Sequence, residues 1–344
     1  MDYLVTIGIP VYNVQNHIRT SLESALAQTF DRIEYLLIDD CGTDRSVDIV
    51  KELQLTHPRG EHIHMIHQPH NMGPGVARNT MIERAAGKYI YFMDADDTIE
   101  PDTIKILYNA STKHHADVCF GSYNQIKAFN DNTECIEHKY PDRVFSNNDE
   151  FGHFVFRKYD GIQTPVWNCL IDVDFLRRTN LRFLPVYFWE DMAMMLQLPA
   201  YVTKAVTMSC ITYHYYCHYD SLSNFQKRDV IEKSEIETTI NTIEQVKQRT
   251  KKFIGKSYYS KMLNKIMMTD FYMACNILHN KREITPSFSA SEIKAIMRYP
   301  LSLMQILCLR PMIVMNLGVY ILGLLPASWS VFVIDYLGKK KSLI

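Results

Sequence analysis

The stretch YFMDADDTIEPD, Tyr91 to Asp102, decides how this chain is read. Lys88 to Met93 is aromatic and β-branched, with Gly87 before it and Pro101 after it, which predicts a buried strand. Asp94, Asp96 and Asp97 follow at once, crowding like charges at the strand end. A divalent cation on oxygen ligands is the simplest agent to offset that repulsion. The plain alternative is a solvated acidic turn in which Asp97 or Thr98 caps the next helix.

Working outward, Leu4–Ile9 and Glu34–Ile38 also read as strands. The first leads to a helix from about His17 to Gln28, with Ile18, Leu22, Ala25 and Leu26 at helical spacing. The second leads to a helix near Ser46–Leu53, and Asn71–Gly75 opens another from about Val76 to Ala86. Alternating strands and helices predict an α/β fold with a mostly parallel sheet flanked by helices, the quoted strand being its third. Ligands bind such sheets at the carboxyl ends of the strands. Directly past the three strands stand Pro10-Val11-Tyr12-Asn13, Asp39-Asp40 and Asp94-Ala95-Asp96, so three polar clusters share one rim, as a nucleotide site requires.

From Ser111 the alternation weakens. Val118–Gly121 reads as a strand and Asn130–Asn148 as a loop or insertion, while aromatic and apolar residues from Trp167 to Leu198 surround Glu190-Asp191. A helical stretch covers Val230–His279, and Tyr299–Ile334 holds a single charged residue, Arg310. The expected division is residues 1–225 as a catalytic domain (1–110 nucleotide half, 111–225 acceptor half), 226–298 as a helical extension, and 299–344 as an apolar tail.

Of 344 residues 47% are apolar, enough for a large core, and 37 basic against 38 acidic residues leave no electrostatic case for a nucleic-acid partner. Eight cysteines without a CxxC pair argue for reduced thiols over a disulfide framework or zinc site. The opening MDYLVTIGIP lacks a basic leader, so the catalytic part is expected to face the cytosol.

In this order and spacing, IPVYN, IEYLLIDDCGTDRS, NMGPGVARN, GKYIYFMDADD and FWEDM resemble the glycosyltransferase family 2 pattern on the GT-A fold, over Leu4 to Gln197. The resemblance implies inverting transfer from a nucleotide-sugar donor. It makes Asp94-Ala95-Asp96 the DxD motif, with Asp94 and Asp96 binding Mn²⁺ or Mg²⁺ on the donor diphosphate and His218 a further candidate ligand. Asp40 becomes the base-reading carboxylate; an ionised carboxylate only accepts, which suits the ring N–H of uracil and favours a UDP-linked donor. Pro10, Tyr12 and Asn13 would edge the base pocket, although Tyr12 also reads as core. Asn71, Gly73 and Arg78 would approach the donor, and Arg78 could instead pair with Asp94 or Asp96. Asp191 corresponds to the general base and Glu190 to its orienting partner, against the alternative of Asp191 as a helix N-cap. Trp189, Trp167 and Asn168 are placed to shape the acceptor pocket, although Trp167 reads equally as core, and His214 could reach phosphate or metal, against the alternative of a packed histidine. The implied acceptor is a saccharide or a lipid-linked oligosaccharide, in surface or capsular polysaccharide synthesis.

Two rivals stand beside this. DADDT also satisfies DxDx[TV], the nucleophile motif of haloacid-dehalogenase-like phosphatases, but that motif follows the first strand and no GDxxxD-like partner lies downstream. A catalytically idle sugar-binding module is the other. In the tail, Pro311–Ile334 is uncharged, and about 24 helical residues at ~1.5 Å each would reach across a ~30 Å hydrocarbon core. Gly318, Gly323 and Pro326 interrupt that span, and Lys339–Lys341 should remain cytosolic. The expectation is a segment lying in or dipping into the inner leaflet, against a buried helical subdomain or an oligomer interface.

Overall fold

The structure, a computed structural model, describes residues 2–129, 132–157, 161–217, 230–310, 312–341 and 343. Two units divide it: Met1–Phe151 with Ile162–Tyr219, and Gly152–Gly161 with Asp220–Ile344. In the first, β1 (Val5–Val11), α1 (Ile18–Leu26), β2 (Ile33–Asp39), α2 (Ser46–Thr56), β3 (Ile63–His67), α3 (Pro74–Arg84) and β4 (Tyr89–Phe92) follow in turn. Then come β5 (Thr98–Ile99), α4 (Thr103–His114), β6 (Val118–Phe129), β7 (Asn132–His138), β8 (Arg143–Phe145) and α5 (Asn148–Val155), in which the boundary falls. β9 (Cys169–Asp172), α6 (Val173–Arg178), α7 (Glu190–Gln197) and β10 (Ala205–Cys217) complete it.

The sheet order is β3-β2-β1-β4-β9-β6-β10-β5, with β7 on β6 and β8 on β10. β1 runs parallel to β2 and β4, and β2 to β3, so the ends of β1, β2 and β4 share one edge. Every residue of β2 is buried, as a central strand covered on both faces requires. Its one charged interior residue, Glu34, accepts from the Thr6 hydroxyl at 2.5 Å and from Ala86 N–H at 2.8 Å, tying β1 and β2 to the chain entering β4.

Three sequence expectations change. β3, with its half-exposed histidines, makes the acidic strand the fourth, further from the phosphatase arrangement. The stretch expected as a loop or insertion carries β7 and β8. The sheet is mixed: β9 inserts antiparallel between β4 and β6.

Asn168 explains how β9 is held. In the left-handed region at φ 58°, it is buried and donates through Nδ2 to the carbonyls of Gly121 (2.7 Å) and Ser122 (3.0 Å). Its Oδ1 accepts from Thr212 Oγ1 (2.7 Å) and the Tyr91 hydroxyl (3.1 Å), so one side chain joins β4, β6 and β10. Trp167 is likewise buried, stacked on Tyr213 with ring centroids 4.5 Å apart and set edge-on to Tyr123 at 4.8 Å. Of the two readings of Trp167 the core one describes it, and Asn168, expected at an acceptor pocket, is core as well.

In the second unit are β11 (Ile231–Glu232), α8 (Lys233–Thr250), α9 (Tyr259–His279), β12 (Ile284–Thr285), α10 (Ala290–Ile296), α11 (Leu303–Leu307), α12 (Ile313–Leu324) and α13 (Ala327–Lys340). Buried Lys247 on α8 meets Asp270 of α9 at 2.5 Å and donates to the carbonyls of Ile296 (3.0 Å) and Arg298 (3.3 Å). Pro326 splits the apolar tail, and no described helix is long and apolar enough to cross a membrane.

Asn168→Ala would strand two carbonyls and two hydroxyls in the core. It should lower unfolding free energy by about 2–4 kcal/mol, read from urea denaturation.

Candidate active site

The site is assembled by the start of α3. Gly73, at φ 83°, precedes the helix, and Pro74 occupies its first turn. A Cβ on Gly75 would lie 2.2 Å from the carbonyl oxygen of Leu184, so only glycine allows this approach. Asn79 fastens the same contact, donating to Phe183 O at 3.0 Å and accepting from Phe183 N–H at 2.9 Å. Together they bring Arg78 to the first turn of α7.

Buried Arg78 donates through Nη2 to Asp94 Oδ1 at 2.8 Å and through Nη1 to Glu190 Oε1 at 2.6 Å; Asp191 Oδ1 lies 2.9 Å from Nη1. Burial works against its charge, yet Asp191, Asp94 and Glu190 raise its pKa above the ordinary guanidinium value. One cation faces three carboxylates, and the deficit shows in the acids. Burial pushes the Asp191 carboxyl up to about 8, Arg78 opposing and Glu190 and Asp94 adding to the rise. Burial also raises Glu190, against the pull of Arg78. Asp191 is no N-cap: that position belongs to Trp189, half-buried and left-handed at φ 65° without a side-chain cap bond.

At the acidic turn, ligand oxygens of Asp94, Asp96 and Asp97 lie within 4.8 Å of one another. Asp97 is buried and accepts from the Tyr213 hydroxyl (2.6 Å) and Tyr216 N–H (2.8 Å), so it belongs to β10 and does not cap α4. The Tyr213 hydroxyl also accepts from Asp94 N–H at 3.2 Å, linking the turn to β10 twice. Burial first, then Asp96 and Asp94, lifts the Asp97 carboxyl well above the carboxylate range. Asp94 and Asp96 are partly exposed. Such hard oxygen donors, clustered at one turn, fit Mg²⁺ or Mn²⁺. His214 is engaged elsewhere, its Nε2 2.8 Å from Glu100 Oε1, and His218 lies outside the described residues.

At the next strand end, Tyr12 is 43% exposed, which removes the core reading. Asn13, at φ 52°, accepts from Thr43 N–H at 2.8 Å, while Pro10 pairs with Ile38 inside the sheet. Asp40 is buried and accepts from Met72 N–H (2.7 Å) and Gly73 N–H (2.8 Å), so it positions the 71–73 loop; each oxygen retains a second lone pair. Asn71 Oδ1 accepts from Gly73 N–H at 3.1 Å, and its carbonyl accepts from the Tyr187 hydroxyl at 3.1 Å. Asp39 supports the turn through Cys41 N–H at 3.1 Å and meets His67 Nδ1 at 2.8 Å. Sequence reasoning missed Tyr213, Tyr187 and His67. For Tyr187 a signal existed, since it stands two residues before the quoted Trp189-Glu190-Asp191.

Residues 6–169 match the model described as Glycosyl transferase family 2. Over 229 residues the chain is 29% identical to an uncharacterized glycosyltransferase, YibD, of Escherichia coli K12, covering 65% of this chain and 64% of that protein. Among solved structures, S. aureus TarS 1–349 in complex with UDP-GlcNAc superposes with a TM-score of 0.66 at 14% identity, over 98% of this chain and 92% of that one. A mannosyltransferase from Pyrobaculum calidifontis in complex with GDP-Man and Mn²⁺ gives 0.51 at 14% identity, over 96% and 86%. These two share its GT-A fold. The family match, the curated relatives and the fold all point the same way, to similarity with glycosyltransferases of family 2. It spans 17%, 64% and 51% of the length of three curated relatives.

Arg78→Met would leave buried Glu190 and the less buried Asp191 and Asp94 without their cation. It should cost about 3–5 kcal/mol of stability, with the loss shrinking as pH falls and the acids protonate; urea titrations across pH test this.

Proposed function

We propose that this chain is an inverting, metal-dependent glycosyltransferase. It moves a sugar from a nucleotide donor, UDP-linked in our reading, to a saccharide or lipid-linked acceptor at the cytoplasmic face of the membrane, in surface or capsular polysaccharide synthesis. The observation that carries the reading is the shared guanidinium: Asp94 of the acidic turn and Asp191 of α7 both lie within 2.9 Å of Arg78. Similarity to the family and the GT-A fold support it further.

Asp40, Tyr12, Asn13 and Pro10 line the base pocket, with Asn71 and Gly73 as its facing loop. Asp94 and Asp96 would hold the cation, with Ala95 between them against the donor; when bound, Mn²⁺ or Mg²⁺ supplies Lewis-acid neutralisation of the leaving diphosphate. Asp191 accepts the acceptor hydroxyl proton as the oxygen attacks the anomeric carbon from the face opposite the nucleotide. Its raised pKa makes it a stronger base than an exposed aspartate, and Arg78 orients it. Glu190 shares that orientation, and half-buried Trp189 offers the acceptor an aromatic surface. No covalent enzyme intermediate is needed, so rate comes from positioning and electrostatics.

Incubation with Mn²⁺ and a panel of nucleotide sugars should give slow donor hydrolysis, and UDP release would name the donor class. Asp96→Ala should abolish turnover and metal-dependent UDP binding with the fold intact; wild-type turnover in EDTA would refute the metal role.

Asp191→Asn should lower transfer by about 10²–10⁴-fold with donor affinity nearly unchanged in calorimetry. Because the base works ionised and the free carboxyl sits at about 8, rate should fall as pH drops through that region. With Mn²⁺ bound, its charge should set this limb at a lower pH than that of the metal-free carboxyl, and the Asn variant should lack it.

A further inference from the structure

The second unit exposes large apolar side chains on each of its last three helices. On α13, Ser330, Ile334 and Gly338 are buried, and the Ser330 hydroxyl donates to Leu322 O at 2.7 Å, fixing α13 on α12. The opposite stripe, Trp329, Phe332 and Tyr336, faces outward, with Trp329 65% and Phe332 68% exposed. Spacings of three and four residues make it one line along the helix. On α12, Val314 is 86% exposed, and Ile321 and Leu324 recur on its outer side. Leu303, Met304 and Leu307 of α11 are exposed as well.

Such a face wants an apolar partner, since monomeric soluble proteins rarely leave large contiguous apolar patches uncovered. Length and charge select which one. At ~1.5 Å per residue, α12 and α13 reach about 18 and 21 Å, short of a ~30 Å hydrocarbon core. From residue 299 to the end, four basic residues (Arg310, Lys339, Lys340, Lys341) stand against one acid, Asp335. Trp329 and Tyr336 are the side chains enriched where lipid meets water, and basic residues beside such a stripe are drawn to anionic headgroups.

We propose that the outer faces of α11, α12 and α13 dock flat on an anionic bilayer, Trp329 and Phe332 entering the acyl boundary and Lys340 and Lys341 remaining among the headgroups. This docking rests on the membrane-surface part of the proposed function and not on its chemistry. A lipid-borne acceptor would then be met by diffusion in two dimensions.

The test is vesicle flotation of the full chain, with neutral phosphatidylcholine vesicles and vesicles containing phosphatidylglycerol. The wild-type chain should float with the anionic vesicles, less so at high salt, with a blue shift of tryptophan emission that Trp329→Phe abolishes. Trp329→Ser with Phe332→Ser should weaken partition by about tenfold or more. Lys340→Glu with Lys341→Glu should lose only the anionic preference. Both double variants should hydrolyse nucleotide sugar in lipid-free buffer at the wild-type rate. Failure to float, or flotation unaltered in the Ser double variant, would overturn the docking. So would a lipid-free wild-type dimer that the Ser variant converts to monomer, since a second copy would then be the occupant. Flotation without any donor hydrolysis would support the docking while overturning the transferase reading.

Discussion

A single buried guanidinium facing three carboxylates is the constraint on which the first unit is organised. Arg78 joins the end of β4 to the start of α7, its partner Glu190 lying 112 residues away in sequence. Removing such charges from water is expensive, and the forked geometry of arginine recovers more of that cost than a point charge could. Gly73, Gly75 and Asn79 serve the placement of that fork, while Tyr213 and Asp97 hold the opposing turn. Around Arg78 the acids outnumber the cation. Burial first, and the neighbouring acids after it, make Asp191, Glu190 and Asp97 resist ionisation.

The second unit solves a related problem with lysine. Lys247 meets Asp270 and also collects the carbonyls of Ile296 and Arg298 at the end of α10. An ammonium with three rotatable donors suits scattered carbonyls, as a planar fork suits carboxylates. Each unit therefore contains a buried cation that gathers segments distant in sequence.

Much of the rim was legible, because parallel strands end on one edge and polar residues after apolar runs mark those ends. β3 is hard to read because Ile63-His64-Met65-Ile66-His67 is a short edge strand interrupted by two histidines, and β9 because four residues within an aromatic stretch carry no period. The orientation of Trp167 and Asn168 could not be read locally. Asn168 takes its partners from Tyr91 and Thr212, 77 and 44 residues away, and nothing in the neighbouring sequence announces them. Asp96 and Asp97 show the same limit at closer range: adjacent and chemically identical, one stays at the partly exposed turn and the other is absorbed by β10. In the tail, composition revealed an apolar segment, whereas the division into an inner and an outer face depended on what α12 and α13 pack against.

The contact between Gly75 and Leu184 sets a distance that no side chain can adjust. With a carbonyl where a Cβ would stand, the helix carrying Arg78 and the segment leading to Asp191 meet backbone to backbone. Loops elsewhere on the rim, among them those bearing Tyr12 and Asn13, can drift in sequence without changing that separation. Substitutions in those loops would thus leave untouched the spacing between Arg78 and the acidic groups it gathers.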